Sequence, residues 1–227
     1  MVMKPILFNT EMVQANLDGR KTATRRIMNP QPHIECYNGG VHEFVTDDFG
    51  SKFKCSGFVC RKCGYGVSPP HSKYPVGTSF IRPKYQPGDI LYVRETWNRV
   101  KLASESEWHY EYRASCENPV YFSNGFFAEW RPSIHMPKEA ARLFLMVTDV
   151  RVERLQDIDD EGAIAEGVNF SNGKHICFEE KMRRTAVERF AEIWDRTIKP
   201  EDIGTYGWDA NPWIWVIEYV RCEKPEV

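Results

Sequence analysis

The stretch Trp213–Val220 (WIWVIEYV) is apolar at every position except Glu218. A continuous run of β-branched and aromatic residues of this length predicts a strand that is buried on both faces. We therefore expect it to lie at the centre of a sheet. Four other segments have the composition or the alternation of strands, and they span residues 5–8, 90–93, 108–113 and 143–152.

Helical patterns are fewer. Asn9 or Thr10 can cap a helix that ends before Gly19, and a second helix is predicted over 157–166 with Gly167 as its stop. The strongest periodicity, over 178–198, predicts a third helix. Because strands and helices do not alternate, the chain is not expected to form a doubly wound sheet. The pattern favours an α+β fold, with a small curved sheet or barrel and peripheral helices.

Composition narrows the class of protein. The 227 residues are 42% hydrophobic with a net charge of -2, which disfavours both general disorder and nonspecific coating of nucleic acid. No run of about 18 apolar residues indicates a membrane-spanning helix, and the N-terminus does not resemble a secretory signal. Seven cysteines, an odd number, fit reduced thiols or metal ligands better than disulfides. We therefore expect a cytoplasmic protein that does not contact membranes.

Positive charge is concentrated in one short segment, residues 17–26 (LDGRKTATRR). Arg20, Lys21, Arg25 and Arg26 bring four cations within seven residues, together with the hydroxyls of two threonines. In a slightly acidic protein this local charge suits a phosphate, a nucleotide or a nucleic-acid backbone. The alternative from charge alone is a solvated basic turn.

Residues 33–84 differ from the rest, with four cysteines and little periodicity, and are interpreted as an insertion within a single domain of residues 1–227. Cys60 and Cys63 form a Cys-x-x-Cys knuckle followed by glycine, which can chelate one metal ion. Cys36 and Cys55 can complete a structural zinc site, with His33 or His42 as substitutes. Free thiols are the alternative, because the second pair lacks the usual spacing.

The order of these elements resembles the ASCH family, a branch of the PUA-like superfamily, and in particular its phage and prophage members. The resemblance rests on residues 17–26, on 86–93 (QPGDILYV), on 147–150 (VTDV) and on the closing Trp-rich strand. It covers roughly residues 3–32 and 86–222. It implies a small PUA-like mixed β-barrel that binds RNA, a nucleoside or a modified base.

One group of ASCH enzymes, similar to this chain at the basic segment, removes the acetyl group from N4-acetylcytidine. The resemblance implies Lys21, Thr24 and Glu166 as catalytic residues, without a cofactor. Threonine would be the nucleophile, lysine its base and glutamate the acid for the leaving amine, while Arg26 could hold the developing oxyanion. In a regular strand Lys21 and Thr24 would point to opposite faces, so this chemistry needs Lys21 on a turn or a bulge between them.

Substrate binding is assigned to the remaining polar residues near these motifs. Arg20 and Arg25 are expected to contact phosphate or solvent. Arg94, Glu95 and Trp97 can read and stack on a base, or else Trp97 belongs to the core beside a local ion pair. Three functions follow for a nucleoside or single-stranded nucleic-acid partner, namely hydrolysis of an N4-acyl group, binding without catalysis, and cleavage of RNA.

Overall fold

A computed structural model describes residues 3–29, 31, 42–47, 55–60, 83–101, 107–116, 129–168 and 185–225. The strands are β1 Met3–Leu7, β2 Ala23–Ile27, β3 His42–Asp47, β4 Cys55–Cys60, β5 Ile90–Arg94, β6 Trp97–Val100, β7 His109–Tyr112, β8 Phe144–Arg154 and β9 Trp213–Cys222. The helices are α1 Thr10–Leu17, α2 Asp160–Ala165, α3 Ala186–Thr197 and α4 Ile203–Tyr206. The predicted α+β class is confirmed.

The main sheet has five strands in the order β1-β5-β8-β9-β2. β1 runs parallel to β5, whereas the pairs β5–β8, β8–β9 and β9–β2 are antiparallel. β9 pairs with a neighbour on each side, so the prediction that Trp213–Val220 forms a central strand is confirmed.

The described residues do not form a closed barrel. β1 and β2 are the two edges of the sheet, and no strand pairing joins them. Their link is a side chain, because the Arg26 guanidinium donates from Nη2 to the carbonyl oxygen of Leu7 over 3.0 Å. The expectation of a barrel is corrected to an open sheet. Its two edges meet near Arg26 and leave a cleft between them.

Side chains on the two faces of β9 pack into two separate hydrophobic clusters. Trp215, Ile217 and Tyr219 join a cluster on one face that α1 and β5 also enter. Ile214 and Val216 point to the other face and pack against α2 and α3. This double burial explains why β9 is apolar at both alternating positions.

Capping residues mark where α1 and α2 begin and end. Asn9 caps α1 by accepting a hydrogen bond from the Met12 amide at 2.8 Å, and Asp159 caps α2 in the same way. Gly19 and Gly167 follow these helices with φ of +73° and +90°, which glycine adopts without strain. α3 confirms the C-terminal part of the predicted 178–198 helix, and 178–184 lie outside the described residues.

The cysteine-rich segment contains one antiparallel pair, β3 with β4, in which His42 lies opposite Cys60. Cys55 and Cys60 occupy the two ends of β4. The predicted zinc site stays a prediction, because the side chains of Cys55 and Cys60 lie outside the part of the chain that the structure describes. Cys36, Cys63 and His33 lie outside the described residues.

Two further findings come from the described part of the chain. None of its helices has both the length and the apolar character needed to cross a bilayer. It also holds no group of three His, Cys, Asp or Glu side chains that could bind a metal ion.

Candidate functional site

Lys21 is buried, and its ammonium group has a complete set of acceptors. Nζ donates to the carbonyl oxygen of Ala23 at 2.8 Å, to the carbonyl oxygen of Glu166 at 2.8 Å and to Glu166 Oε2 at 2.6 Å. The side chains of Lys21 and Glu166 are 0% and 5% exposed. The structure thus brings together two of the three predicted catalytic residues, which are 145 positions apart in the chain.

The backbone around Lys21 explains how it reaches Glu166. Lys21 precedes β2 and lies in the turn after α1, where its amide donates to the carbonyl oxygen of Ala15. The next amide, of Thr22, donates to the carbonyl oxygen of Ala165 in α2. Because Lys21 is outside the strand, the alternation of side chains along β2 does not govern its direction. This is the turn position that the predicted chemistry needs.

Thr24 lies in β2 and is fully buried. Its hydroxyl Oγ1 has no hydrogen-bond partner among the described residues, and so it makes no hydrogen bond to Lys21 or Glu166. A buried hydroxyl without a partner costs free energy. Such a group in a candidate site is therefore a feature that needs a functional or structural reason.

Gly167 lets α1 and the Lys21 turn approach α2 closely. A Cβ at this position would come within 2.7 Å of Ala15 Cβ and 3.2 Å of Lys21 Cβ, with φ at +90°. We expect Gly167→Ala to lower the free energy of unfolding by about 2–3 kcal/mol, through steric clash and backbone strain.

Urea unfolding monitored by circular dichroism measures this effect. Gly88→Ala is the matched control, because Gly88 has φ of +88° but no atom within 4 Å of an added Cβ. The control is expected to show the strain alone, at about 1 kcal/mol. Equal losses in the two variants would contradict the close approach at Gly167.

Glu166 follows α2 as its C-terminal cap residue and presents its two carboxylate oxygens differently. Oε2 accepts from Lys21, while Oε1 has no hydrogen-bond partner among the described residues. Arg25 Nη1 lies 3.5 Å from Oε1, an ion-pair distance. Oε1 thus has an ion-pair partner but no hydrogen bond to a described residue, and Glu166 lines the cleft between β1 and β2.

Arg25 is buried beside Glu166 instead of extending into solvent. Besides its ion pair with Glu166, it lies 3.6 Å from Glu153 and donates to the carbonyl oxygen of Gly162. Its guanidinium is also 5.8 Å from the Phe190 ring centroid. The predicted exposure to solvent is therefore corrected, because Arg25 is 5% exposed and bonds internal acceptors beside Glu166.

The other two arginines of the basic segment differ in surroundings. Arg20 bonds Asp18 and the carbonyl oxygen of Gly167, so it stabilises the turn. Arg26 is half-buried and lines the cleft, with its guanidinium 5.6 Å from the Phe8 ring. Its Nη atoms donate to the backbone carbonyl oxygens of Arg25 and Leu7. Arg26 is therefore the member of the segment that reaches the cleft without a carboxylate partner among the described residues.

Arg94, Glu95 and Trp97 do not form one binding site. Glu95 is 1% exposed and forms a two-point ion pair with Arg142, at 2.8 and 2.9 Å. Trp97 is 5% exposed and belongs to a core cluster. The predicted role of these two in binding a base is corrected, because both side chains are buried away from the cleft. Arg94 alone lines it.

The cleft has a volume of about 680 Å³ and lies between β1, β2 and α3. Aromatic side chains form much of its wall, namely those of Tyr85, Phe190, Trp194 and Trp215. Its charged lining consists of Glu166 and four cations, Arg25, Arg26, Lys84 and Arg94. Lys21 and Thr24 are not part of this lining; they lie behind it. A volume and lining of this kind suit a small aromatic ligand.

Burial controls the titration of the groups behind the cleft. It lowers the pKa of Lys21 below that of an ordinary lysine, and Arg26 and Arg25 lower it further while Glu166 opposes the shift. Burial raises the pKa of Tyr219, an effect to which the Glu166 charge adds and which Asn16 and Arg26 oppose. The lowered pKa makes Lys21 a better candidate for a general base than an exposed lysine would be.

Several cleft residues have no functional signal in the sequence. Phe190 and Trp194 recur at helical spacing, which indicates a core helix and not a ligand site. Lys84 and Tyr85 stand where the predicted insertion ends, and no motif marks them. Only the meeting of β1 and β2 brings these four residues to one cavity.

Comparison with known proteins does not extend this description. No family model matches the chain, and no curated protein and no solved structure is significantly similar to it. The interpretation of the site therefore depends on its geometry and on the residue types that it contains.

Proposed function

We propose that this protein binds a nucleoside in the cleft and hydrolyses an N4-acyl group of cytidine. The observation that carries the proposal is the buried 2.6 Å contact between Lys21 Nζ and Glu166 Oε2, at the wall of an aromatic cleft. The likeness of residues 17–26 to the ASCH amidohydrolases supports the same assignment, and a PUA-like origin of the open sheet is part of the proposal.

The Lys21–Glu166 pair can supply both an acid and a base. Transfer of one proton from Nζ to the carboxylate across their hydrogen bond produces a neutral amine and a carboxylic acid. Burial lowers the pKa of Lys21 and so favours loss of its proton. The amine can then accept a proton from a nucleophile, and the acid can give one to a leaving group.

The proposed reaction proceeds in two balanced steps. In the first, Thr24 Oγ bonds to the acyl carbon and its proton passes to the Lys21 amine, while the bond to N4 breaks and Glu166 protonates that nitrogen. In the second, water cleaves the resulting ester, which releases the carboxylic acid and restores the Thr24 hydroxyl. Arg26, a residue of β2 that lines the cleft, is the cation proposed to stabilise the oxyanion.

The direct assay is incubation with N4-acetylcytidine and chromatographic detection of cytidine and acetate. We expect turnover by the wild type and a loss of at least about 100-fold in Glu166→Gln, which removes the acid. Glu161→Gln is the matched control, because Glu161 is an exposed residue of the same helix. Absence of turnover in the wild type, or equal rates in both variants, would reject the enzymatic proposal.

The dependence of the rate on pH follows from the lowered pKa of Lys21. A general base acts in its neutral form, so kcat/KM is expected to fall as the pH drops below the pKa of Lys21 in the folded protein. Because this pKa is lowered, the fall occurs at a lower pH than for an ordinary lysine. A kcat/KM that stays constant as the pH falls through the neutral and acidic range would argue against Lys21 as the base, and one that rises up to the pKa of an ordinary lysine, about 10.4, would contradict the lowered pKa.

Binding without catalysis is the second candidate, and a specific observation favours it. Thr24 and Lys21 lie behind the lining of the cleft, and Thr24 is 0% exposed. A ligand could therefore occupy the aromatic cavity without meeting the hydroxyl. Tryptophan fluorescence, from Trp194 and Trp215 in the wall, would then report cytidine binding while the amide remains intact.

A further inference from the structure

The lining of the cleft carries more positive than negative charge. Arg25 is balanced by Glu166 and Glu153, but Arg26, Lys84 and Arg94 have no carboxylate partner within 4.0 Å among the described residues. Arg26 and Arg94 are half-buried, and a half-buried positive charge is costly unless an anion or polar groups compensate it, whereas Lys84 is exposed. The chain as a whole has a net charge of -2, so this local excess is not a general property of its surface.

We propose that the cleft accepts its substrate as a nucleotide, whose phosphate group is bound by Lys84 and Arg94. This inference rests on the proposed binding of a nucleoside in the same cleft. It adds the substrate class, since a nucleoside has no anionic group that could pair with these two cations.

Arg94 is held in position by a hydrogen bond from its Nε atom. Its Nε donates to the carbonyl oxygen of Met136 at 2.7 Å, which fixes the guanidinium plane. No hydrogen bond from either Nη atom is made to a described residue. A guanidinium oriented in this way can bind a phosphate through two parallel hydrogen bonds.

Lys84 lies on the same side of the cleft, next to β1. Its carbonyl oxygen accepts from Lys4 Nζ, and the hydroxyl of the neighbouring Tyr85 donates to the carbonyl oxygen of Pro5 at 2.7 Å. Arg94 is the strand partner of Leu7, two residues further along β1. These contacts place both cations along the Pro5–Leu7 part of the cleft.

The acid–base pair lies further along the cleft. Lys21 Nζ is 5.5 Å from the Phe8 ring, and Glu166 lines a small adjoining cavity together with Asn9 and Met12. The chain advances four residues from Pro5, beside Tyr85, to Asn9, about 13 Å in extended conformation, and two residues from Leu7, the strand partner of Arg94, to Asn9, about 7 Å. The phosphate site and the acid–base pair are thus separated along the cleft, with the aromatic side chains available to the base. This order matches a nucleotide, in which the phosphate and the base N4 are at opposite ends.

Calorimetric titration with cytidine and with cytidine 5′-monophosphate tests the proposal. The wild type is expected to bind the nucleotide about tenfold more tightly than the nucleoside at low salt. The ratio of the two Kd values should approach one in Lys84→Gln/Arg94→Gln. It should also shrink when NaCl is raised from about 0.05 M to about 0.5 M, because salt screens the phosphate contacts.

Two single variants control for the possibility that the double variant fails to fold. Lys84 is exposed, so Lys84→Gln by itself should fold normally and lower the ratio in part. Lys138→Gln is the matched control, an exposed lysine that does not line the cleft, and it should retain the wild-type ratio. A ratio that survives the double substitution would overturn the proposal.

The remaining outcomes separate this proposal from the one on which it rests. Equal Kd values for the two ligands would overturn the phosphate site but retain nucleoside binding. Failure of both ligands to bind would reject the nucleoside-binding cleft itself. Much tighter binding of a 5′-phosphorylated oligocytidine than of the mononucleotide would overturn the mononucleotide as substrate in favour of a polymer.

Discussion

Replacing Lys21 by methionine is expected to lower the free energy of unfolding by about 3–5 kcal/mol, because it removes one partner of a buried ion pair. The Lys21 and Glu166 side chains are 0% and 5% exposed, so water cannot compensate for the lost contact. Glu166 would retain only Arg25, at the longer distance of 3.5 Å. Urea unfolding of the variant and the wild type measures the difference.

A double-mutant cycle shows whether the loss comes from an unpaired charge. In Lys21→Met/Glu166→Met both charges are replaced by apolar side chains, so we expect much of the stability lost in Lys21→Met to return. Lys138→Met, at an exposed position, controls for the substitution itself and should change stability little. If the losses of the two single variants simply add in the double variant, the pair does not act as a coupled unit.

Replacing Thr24 by valine is expected to have opposite effects on activity and on stability. Loss of the nucleophile should reduce kcat by about 1000-fold or more. The free energy of unfolding should be unchanged or higher by about 1 kcal/mol, because valine has nearly the same shape and removes a buried hydroxyl that lacks a hydrogen-bond partner. Activity assays and urea unfolding of the same preparation measure the two effects.

Thr22 provides the matched control, since it is the exposed threonine two positions earlier. Thr22→Val should retain both activity and stability. Retained activity in Thr24→Val would remove the threonine from the proposed mechanism and leave a water molecule as the nucleophile. A large loss of stability in Thr24→Val would instead show that the hydroxyl has a structural role.

The elements with strong local signals were predictable. The unbroken apolar run of β9 indicated burial on both faces, and the structure covers one face with α1 and the other with α2 and α3. Asn9 marked the start of α1 because its side chain satisfies an amide of the first turn. Gly19 and Gly167 marked helix ends because they adopt positive φ. These effects act over a few residues and can therefore be predicted from the sequence.

The roles of individual charged residues were harder to predict. Residue type alone suggested that Arg25 and Glu95 bind ligand, yet each is buried against an internal partner. Glu95 pairs with Arg142, 47 residues away, and no periodicity connects the two. Because a carboxylate attracts an arginine equally well in a core and in a ligand site, only the three-dimensional neighbours distinguish the two cases.

The sequence by itself determined the α+β class, the central position of β9 and the presence of a basic turn after α1. Only the tertiary structure decided that the sheet is open and that Lys21 contacts Glu166 across 145 residues. It also decided that Lys84 and Arg94 share a cleft with Glu166. The physical reason is the distance in sequence over which each effect acts. Capping and hydrophobic periodicity act within a few residues, whereas pairing between charges distant in sequence depends on how the edges of the sheet meet.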